Sequence, residues 1–310
     1  MEEQIIKTLS YFDIFDYPLT FAEIKKYLEC EIEYTDDDLY DILASISVIQ
    51  EANGYYYLLG RREITEMRSA RGTVSIAKLS KARVVGKLLT LIPSIDYIGI
   101  SGSLSMNNAS ESDDIDLFFI TKKNTLWITR LLVSLTLMLI HQKRKKKSKS
   151  AKDKICPNMF MSKDKLVFSE KKRNLYIAHE IVQLKTLYDR NNSHSLFLQK
   201  NKWIKGYFPN FHPTTHKKIG VSKLERILLV GIKPLEKIAY ILQKAYMHKI
   251  SGETVSHSKA FFHPRDNQGI ILDMLEIRYD RYKRLFNDNI WVDTDEARFY
   301  MEEKKIRILN

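Results

Sequence analysis

The chain has 310 residues, of which 28% are charged and 44% hydrophobic, and its formal net charge is +12 at pH 7. This composition excludes a disordered protein and a membrane-embedded one, and the length allows two or three compact units. The longest apolar run, Leu126 to Ile140, contains Arg130 and is too short to span a bilayer, so we interpret it as a buried helix. The acidic start of the chain is unlike a signal peptide, and the two cysteines, Cys30 and Cys156, show neither metal-ligand spacing nor a disulfide framework. We therefore expect a cytoplasmic protein with no membrane partner.

Residues 1–62 carry the pattern of three helices followed by a β-hairpin. Apolar residues recur at helical spacing from Glu2 to Phe12. The second and third helices each begin with a capping box, Thr20 to Glu23 and Thr35 to Asp38. Asn53-Gly54 separates two β-prone runs and is a strong hairpin signal. Together these elements predict a winged-helix-like domain.

The third predicted helix has an acidic surface, which repels phosphate groups. Its acidic residues are Asp36, Asp37, Asp38 and Asp41. A helix that reads DNA normally brings Lys, Arg or Asn to the groove. A structural or protein-contact role for this domain is therefore favoured over DNA binding.

Residues 63–166 predict an α/β core together with the helices that connect to it. Arg61 to Ile92 is basic and helical, with an interruption near Gly72-Thr73. Two β-prone runs follow, Tyr97 to Ile100 and Asp114 to Thr121, and Gly102-Ser103 breaks the chain between them. An apolar helix over 126–141, a Lys- and Ser-rich mobile loop over 143–154 and a strand over 155–162 complete a βαβ-like core.

Residues 167–310 predict an α-helical C-terminal domain. Helical periodicity is clearest over residues 176–187, 224–247 and 269–286, and prolines punctuate the segments between them. The fold class expected for the whole chain is therefore α+β.

The run that carries the most chemistry is the strand that holds Asp114 and Asp116. Residues two apart on a strand point to the same face, so the two carboxylates should lie side by side. Two like charges at that spacing repel unless a positive charge lies between them, and a divalent metal is the usual answer. Mg²⁺, or Mn²⁺, suits a site of few protein oxygens that leaves room for substrate phosphates. Gly102 and Ser103 would let the backbone and a hydroxyl approach a phosphate.

This combination resembles the nucleotidyltransferase superfamily with a polymerase-β-like fold. The resemblance rests on Gly102-Ser103, a spacer, and Asp114-Ile115-Asp116-Leu117, and it covers residues 97–162. It implies that Gly102 and Ser103 hold the triphosphate of a nucleotide and that Asp114 and Asp116 bind the metals and act in catalysis. Asp113 is a lesser candidate, and an acidic turn in some other α/β domain is the alternative interpretation.

Two further residues are candidates for the same site. Members of the superfamily commonly add a third carboxylate on a later strand, where this chain offers Asn158. An amide oxygen can ligate a metal, but it cannot act as a base. Arg130, one turn into the helix after the carboxylate strand, is a candidate for contacting a phosphate.

The expected activity is metal-dependent transfer of a nucleoside monophosphate from a nucleoside triphosphate to a hydroxyl acceptor, with release of pyrophosphate. The acceptor is RNA, a protein or a small molecule, and the positive charge favours RNA or another polyanion. Asn158 motivates the alternative, a catalytically weakened core that binds nucleotide or nucleic acid as a regulatory module. Basic residues on the predicted connecting helices would suit a polyanion, or would form an ordinary solvated face; they are Arg61, Arg62, Arg68, Arg71, Lys78, Lys81, Arg83 and Lys87.

Overall fold

The computed structural model describes residues 1–30, 35–144, 151–213, 223–247, 254–256, 258–261 and 267–288, and it confirms the α+β class. The α-helices are α1 (Glu2–Asp13), α2 (Phe21–Tyr27), α3 (Asp36–Ser45), α4 (Glu63–Leu89), α5 (Leu126–Leu139), α6 (Leu175–Val182), α7 (Ser193–Lys200), α8 (Lys223–Ile232), α9 (Glu236–Met247) and α10 (Asn267–Asn287). The strands are β1 (Leu19–Thr20), β2 (Ile49–Ala52), β3 (Tyr55–Leu58), β4 (Ile95–Ile100), β5 (Ile115–Thr121), β6 (Ile155–Ser162), β7 (Lys185–Asp189), β8 (Thr254–Val255) and β9 (Lys259–Phe261). Within these described ranges, none of the helices combines the length and the apolar character that crossing a membrane requires.

The chain divides into two compact units in a way that differs from the three predicted domains. The first unit contains residues 1–70, 203–212 and 267–310, and the second contains residues 71–202 and 213–266. Residues 167–310, predicted as one helical domain, are therefore shared between the two units and contribute β7, β8 and β9 as well as helices. β7 and β9 pair with β4 and β6, which are distant along the chain, so local periodicity does not reveal them.

The first unit has the predicted three helices and hairpin. Both capping boxes are present. The Thr20 and Thr35 hydroxyls each accept a hydrogen bond from the backbone N–H three residues on, and the Glu23 and Asp38 carboxylates accept one from the backbone N–H of Thr20 and Thr35. Asn53 and Gly54 both have positive φ, at 56° and 78°, as a tight hairpin turn between β2 and β3 requires. The strand β1 pairs with the other side of β3, which gives the order β1-β3-β2.

A buried ion-pair network holds α10 in the first unit. Asp13, which is 2% exposed, accepts a hydrogen bond from Arg61 Nε at 2.7 Å and pairs with Arg278 of α10. The Tyr282 hydroxyl of the same helix donates to the Leu59 carbonyl at 3.0 Å. These contacts bring the end of the described chain back to residues near its start.

The second unit is built on a six-stranded sheet with the order β7-β4-β5-β6-β9-β8. β5 pairs with β6 in parallel and with β4 in antiparallel fashion, and α5 connects the two parallel strands. This confirms the predicted βαβ-like core. Every residue of β4 is buried, so the middle of the sheet is covered on both faces.

Several predicted elements differ in detail from the observed ones. α4 runs without a break through Gly72, because one interior glycine costs only about 1 kcal/mol and the rest of the helix outweighs that cost. The helix predicted over 176–187 stops at Val182, and the chain then enters β7. α5 is the predicted apolar helix, but Leu139 on it is 80% exposed, so one face is open. Of the predicted mobile loop, residues 145–150 lie outside the described residues.

Candidate functional site

The parallel pairing of β5 and β6 brings two carboxylates and a thiol together. Asp114 directly precedes β5, Asp116 is its second residue, and the register places Asp116 opposite Cys156 of β6. One ligand atom from each of these three residues lies within 4.8 Å of the others. The prediction that Asp114 and Asp116 lie side by side is therefore confirmed, and Cys156 adds a sulfur atom to the group.

The Gly102 turn passes close to the second carboxylate. Gly102 has φ 65° and ψ −158°, a conformation that essentially only glycine adopts. A Cβ built on it would lie 3.1 Å from Asp116 Oδ2. The next residue back, Ser101, donates its backbone N–H to the Asp116 carbonyl at 3.0 Å. The backbone at residues 101–102 therefore lies close to Asp116.

Asp113 organises the loop between the turn and β5. Its carboxylate accepts hydrogen bonds from the Ser103 hydroxyl at 2.9 Å and from the Ser110 hydroxyl and backbone N–H at 2.6 and 3.0 Å. These contacts explain why the two consecutive aspartates have different roles: the Asp113 carboxylate holds the loop together, whereas Asp114 belongs to the three-residue group. Ser103, predicted to bind phosphate, uses its hydroxyl in this loop.

Burial and mutual repulsion disfavour the ionised form of Asp116. Burial and then the charge of Asp114 raise the pKa of Asp116 to about 7, while a hydrogen bond from the Cys156 thiol and the positive charge of Arg144 act in the opposite direction. Burial, and next the charge of Asp116, also raises the pKa of the Cys156 thiol. A cation at this place would favour the charged forms of all three ligands.

Arg144 supplies part of that positive charge. Its Nη1 lies 2.7 Å from Asp114 Oδ2 and 3.9 Å from Cys156 Sγ. The Arg144 side chain remains 42% exposed, so it lies at the mouth of the site. Glu180 of α6 adds a negative charge that acts on Asp116, and burial raises the pKa of Glu180 itself to about 7.

The donor set fits a divalent cation. Carboxylate oxygens suit Mg²⁺ and Mn²⁺, whereas a thiolate favours softer ions such as Zn²⁺.

Comparison of the chain with protein-family models, curated proteins and solved structures finds no match.

The other two candidate residues, Asn158 of β6 and Arg130 of α5, are not members of the three-residue group. Asn158 is buried at a shift in register, where the pairing moves from Leu117 opposite Pro157 to Phe118 opposite Met159. Arg130 of α5 donates to the Gln243 side chain of α9. Metal ligation by Asn158 and phosphate binding by Arg130 stay predictions.

Sequence reasoning missed Cys156 and Arg144. Cys156 has no local metal-ligand spacing in the sequence, and Arg144 lies in the segment predicted as a mobile loop. The signal that could have found Cys156 is the predicted βαβ unit itself, because its parallel strands start at the same edge of the sheet. Cys156 is the second residue of β6, as Asp116 is the second residue of β5.

Proposed function

We propose that the protein is a metal-dependent nucleotidyltransferase that moves a nucleoside monophosphate from a nucleoside triphosphate to a hydroxyl acceptor and releases pyrophosphate. The observation that carries the proposal is the close approach of the Gly102 turn to a pair of carboxylates, Asp114 and Asp116. A Cβ built on Gly102 would lie 3.1 Å from Asp116 Oδ2. Phosphoryl transfer needs little covalent chemistry from the protein, so positioning and charge are what its site must supply.

Each residue of the site has a role in this proposal. Asp114, Asp116 and Cys156 would hold the ion, and Mn²⁺ or Zn²⁺ suits the thiol better than the expected Mg²⁺. The ion, when bound, neutralises charge on the transferred phosphoryl group. The backbone at Gly102 approaches the triphosphate closely, since no side chain stands there. Arg144 at the mouth of the site offers a guanidinium that can bind phosphate oxygens in a bidentate way.

The proposal extends to the folds of the two units. The second unit would be a polymerase-β-like nucleotidyltransferase core, supported by the strand–turn–strand arrangement of β4, Gly102 and β5. The first unit would be winged-helix-like, supported by its order of helices and strands and by the sheet β1-β3-β2. The net charge of +12 supports RNA or another polyanion as the acceptor.

Two observations favour the second candidate, a nucleotide-binding regulatory module. Arg144 already pairs with Asp114, and the third member of the ligand group is a thiol rather than a carboxylate. A cationic side chain on Asp114 competes with an ion for the same oxygen. A site held in this way would bind nucleotide without turning it over.

Transfer of label from radiolabelled nucleoside triphosphates tests the proposal. The purified chain is incubated with each triphosphate, with RNA, protein and small hydroxyl acceptors, and with Mg²⁺, Mn²⁺ or Zn²⁺. We expect label transfer that an Asp114→Ala/Asp116→Ala variant abolishes and that Glu111→Gln, at an exposed carboxylate of the neighbouring loop, retains.

The two candidate functions give different results in this assay. Nucleotide binding without transfer in any combination would favour the regulatory module. Absence of both binding and transfer would refute both candidates.

A further inference from the structure

Lys78 is a buried lysine in the middle of α4. It is 2% exposed. Its ammonium group contacts three oxygen atoms: the Asp113 carbonyl at 2.7 Å, the Asp153 carboxylate at 2.6 Å and the Glu111 carbonyl at 3.2 Å. Lysine is almost never fully buried unless it is paired, and an ammonium group has three hydrogens to donate. The three acceptors therefore match the donors of Lys78 one for one.

These acceptors belong to the two segments that lead into the parallel strands. Glu111 and Asp113 lie in the loop before β5, and Asp153 lies two residues before β6. Asp113 is the residue directly before Asp114, so the Lys78 contact is one peptide unit away from the first carboxylate of the site.

Backbone hydrogen bonds join the same two segments to each other. The Asp153 N–H donates to the Asp113 carbonyl at 3.1 Å, and the Ile115 N–H donates to the Lys154 carbonyl at 2.8 Å. The Asp113 carbonyl thus accepts from both Lys78 and Asp153. The ammonium group stands where the segments meet and contacts both of them.

We propose that Lys78 is a positioning residue. It holds the starts of β5 and β6 in the parallel register that pairs Asp116 with Cys156. The inference rests on the proposed function only in taking Asp114, Asp116 and Cys156 as metal ligands. Groups behind metal ligands fix their orientation, and losing such a group typically weakens metal binding by about tenfold or more. The competing explanation is that Lys78 contributes to the stability of the unit and nothing else.

Three variants separate these explanations. Lys78→Met keeps the apolar stem and removes the donors. Asp153→Asn removes the partner charge at a side chain that is 38% exposed, so folding should tolerate it. Leu79→Ala is the control, because Leu79 is the next residue of α4 and packs in the hydrophobic core of the same unit. Mn²⁺ affinity is measured by electron paramagnetic resonance, and native-state exchange is measured at the Ile115 amide.

We expect Lys78→Met to weaken Mn²⁺ binding about tenfold or more and Asp153→Asn to weaken it less, while Leu79→Ala retains the original affinity. Exchange at the Ile115 amide should accelerate more in Lys78→Met than in Leu79→Ala. Unchanged affinity in Lys78→Met, or an equal loss in Leu79→Ala, would overturn the inference. If Lys78→Met does not fold, Asp153→Asn is judged by the same criteria.

A chain that binds no Mn²⁺ would count against the metal-dependent function and not by itself against Lys78. The exchange measurement then decides. Faster exchange at Ile115 in Lys78→Met or Asp153→Asn than in Leu79→Ala would support positioning by Lys78, and equal or slower exchange would overturn it.

Discussion

Replacing Asp116 by asparagine should stabilise the metal-free protein at alkaline pH. The Asp116 carboxyl has a pKa raised from 3.8 to about 7 by burial and by Asp114, so its ionised form is disfavoured in the folded state. Asparagine has nearly the same shape and does not ionise. The variant therefore removes an electrostatic cost that the wild-type protein bears when Asp116 is charged.

The sign and size of the effect follow from proton linkage. Between about pH 4 and pH 7 the folded state binds more protons at Asp116 than the unfolded state, so the free energy of unfolding falls as the pH rises through this range. One pKa unit is worth about 1.4 kcal/mol, and a rise of roughly three units therefore costs about 4 kcal/mol above neutral pH. Loss of the hydrogen bond from the Cys156 thiol reduces the gain by about 1 kcal/mol. Asp116→Asn should be more stable than wild type by about 3 kcal/mol at pH 8 and equal to it within about 1 kcal/mol at pH 4.

Urea unfolding followed by far-ultraviolet circular dichroism measures both quantities. The experiment is run with a chelator at pH 4 and at pH 8. Glu180→Gln should remove a second part of the same pH dependence, because burial raises the pKa of Glu180 to about 7 as well. Asp37→Asn, on the exposed face of α3, is the control and should change stability by less than about 0.5 kcal/mol. An Asp116→Asn protein that is less stable than wild type at pH 8, or equally dependent on pH, would refute the electrostatic account of the site.

Two further substitutions test the geometry of the same site. Gly102→Ala should destabilise the protein by about 1–3 kcal/mol in thermal unfolding and weaken divalent-ion binding, because the backbone conformation is strained for alanine and the added Cβ would lie 3.1 Å from Asp116 Oδ2. Unchanged stability and ion affinity would contradict the geometry of the turn. Cys156→Ser should lower Zn²⁺ affinity about tenfold or more in competition titrations and leave Mg²⁺ affinity unchanged, because the site loses its soft ligand. Cys30→Ser is the control, and equal Zn²⁺ affinity in the two variants would exclude the Cys156 thiol as a ligand.

Local signals in the sequence predicted the elements that form without distant partners. The Thr20 and Thr35 capping boxes and the Asn53-Gly54 turn each act within a few residues, and all are present in the structure. β7 could not be predicted in this way, because it is extended only by its pairing with β4. The helical periodicity of the sequence continues past Val182, but α6 ends at that residue.

The sequence predicted the part of the candidate site that depends on local geometry and missed the part that depends on distant strand pairing. Asp114 and Asp116 are neighbours along one strand, so their proximity follows from strand geometry. Cys156 reaches them through the parallel register, which the sequence alone does not define to the residue. A bulge after Leu117 shifts that register, so Cys156 is paired with Asp116 while Asn158 lies at the irregularity.

The basic residues in and just before α4 show why net charge alone is weak support for a polyanionic partner. Arg61 pairs with Asp13, and Arg68 forms a two-pronged contact with Glu23 at 2.8 and 2.9 Å. Lys78 is buried on carbonyl and carboxylate oxygens. A cation that is already paired releases no counterions from nucleic acid, so these side chains contribute little to such binding although the formal charge includes them. If RNA is the acceptor, the residues that bind it must be sought among exposed cations outside such pairs. Arg144 is itself paired with Asp114 and would have to leave that carboxylate to bind a phosphate.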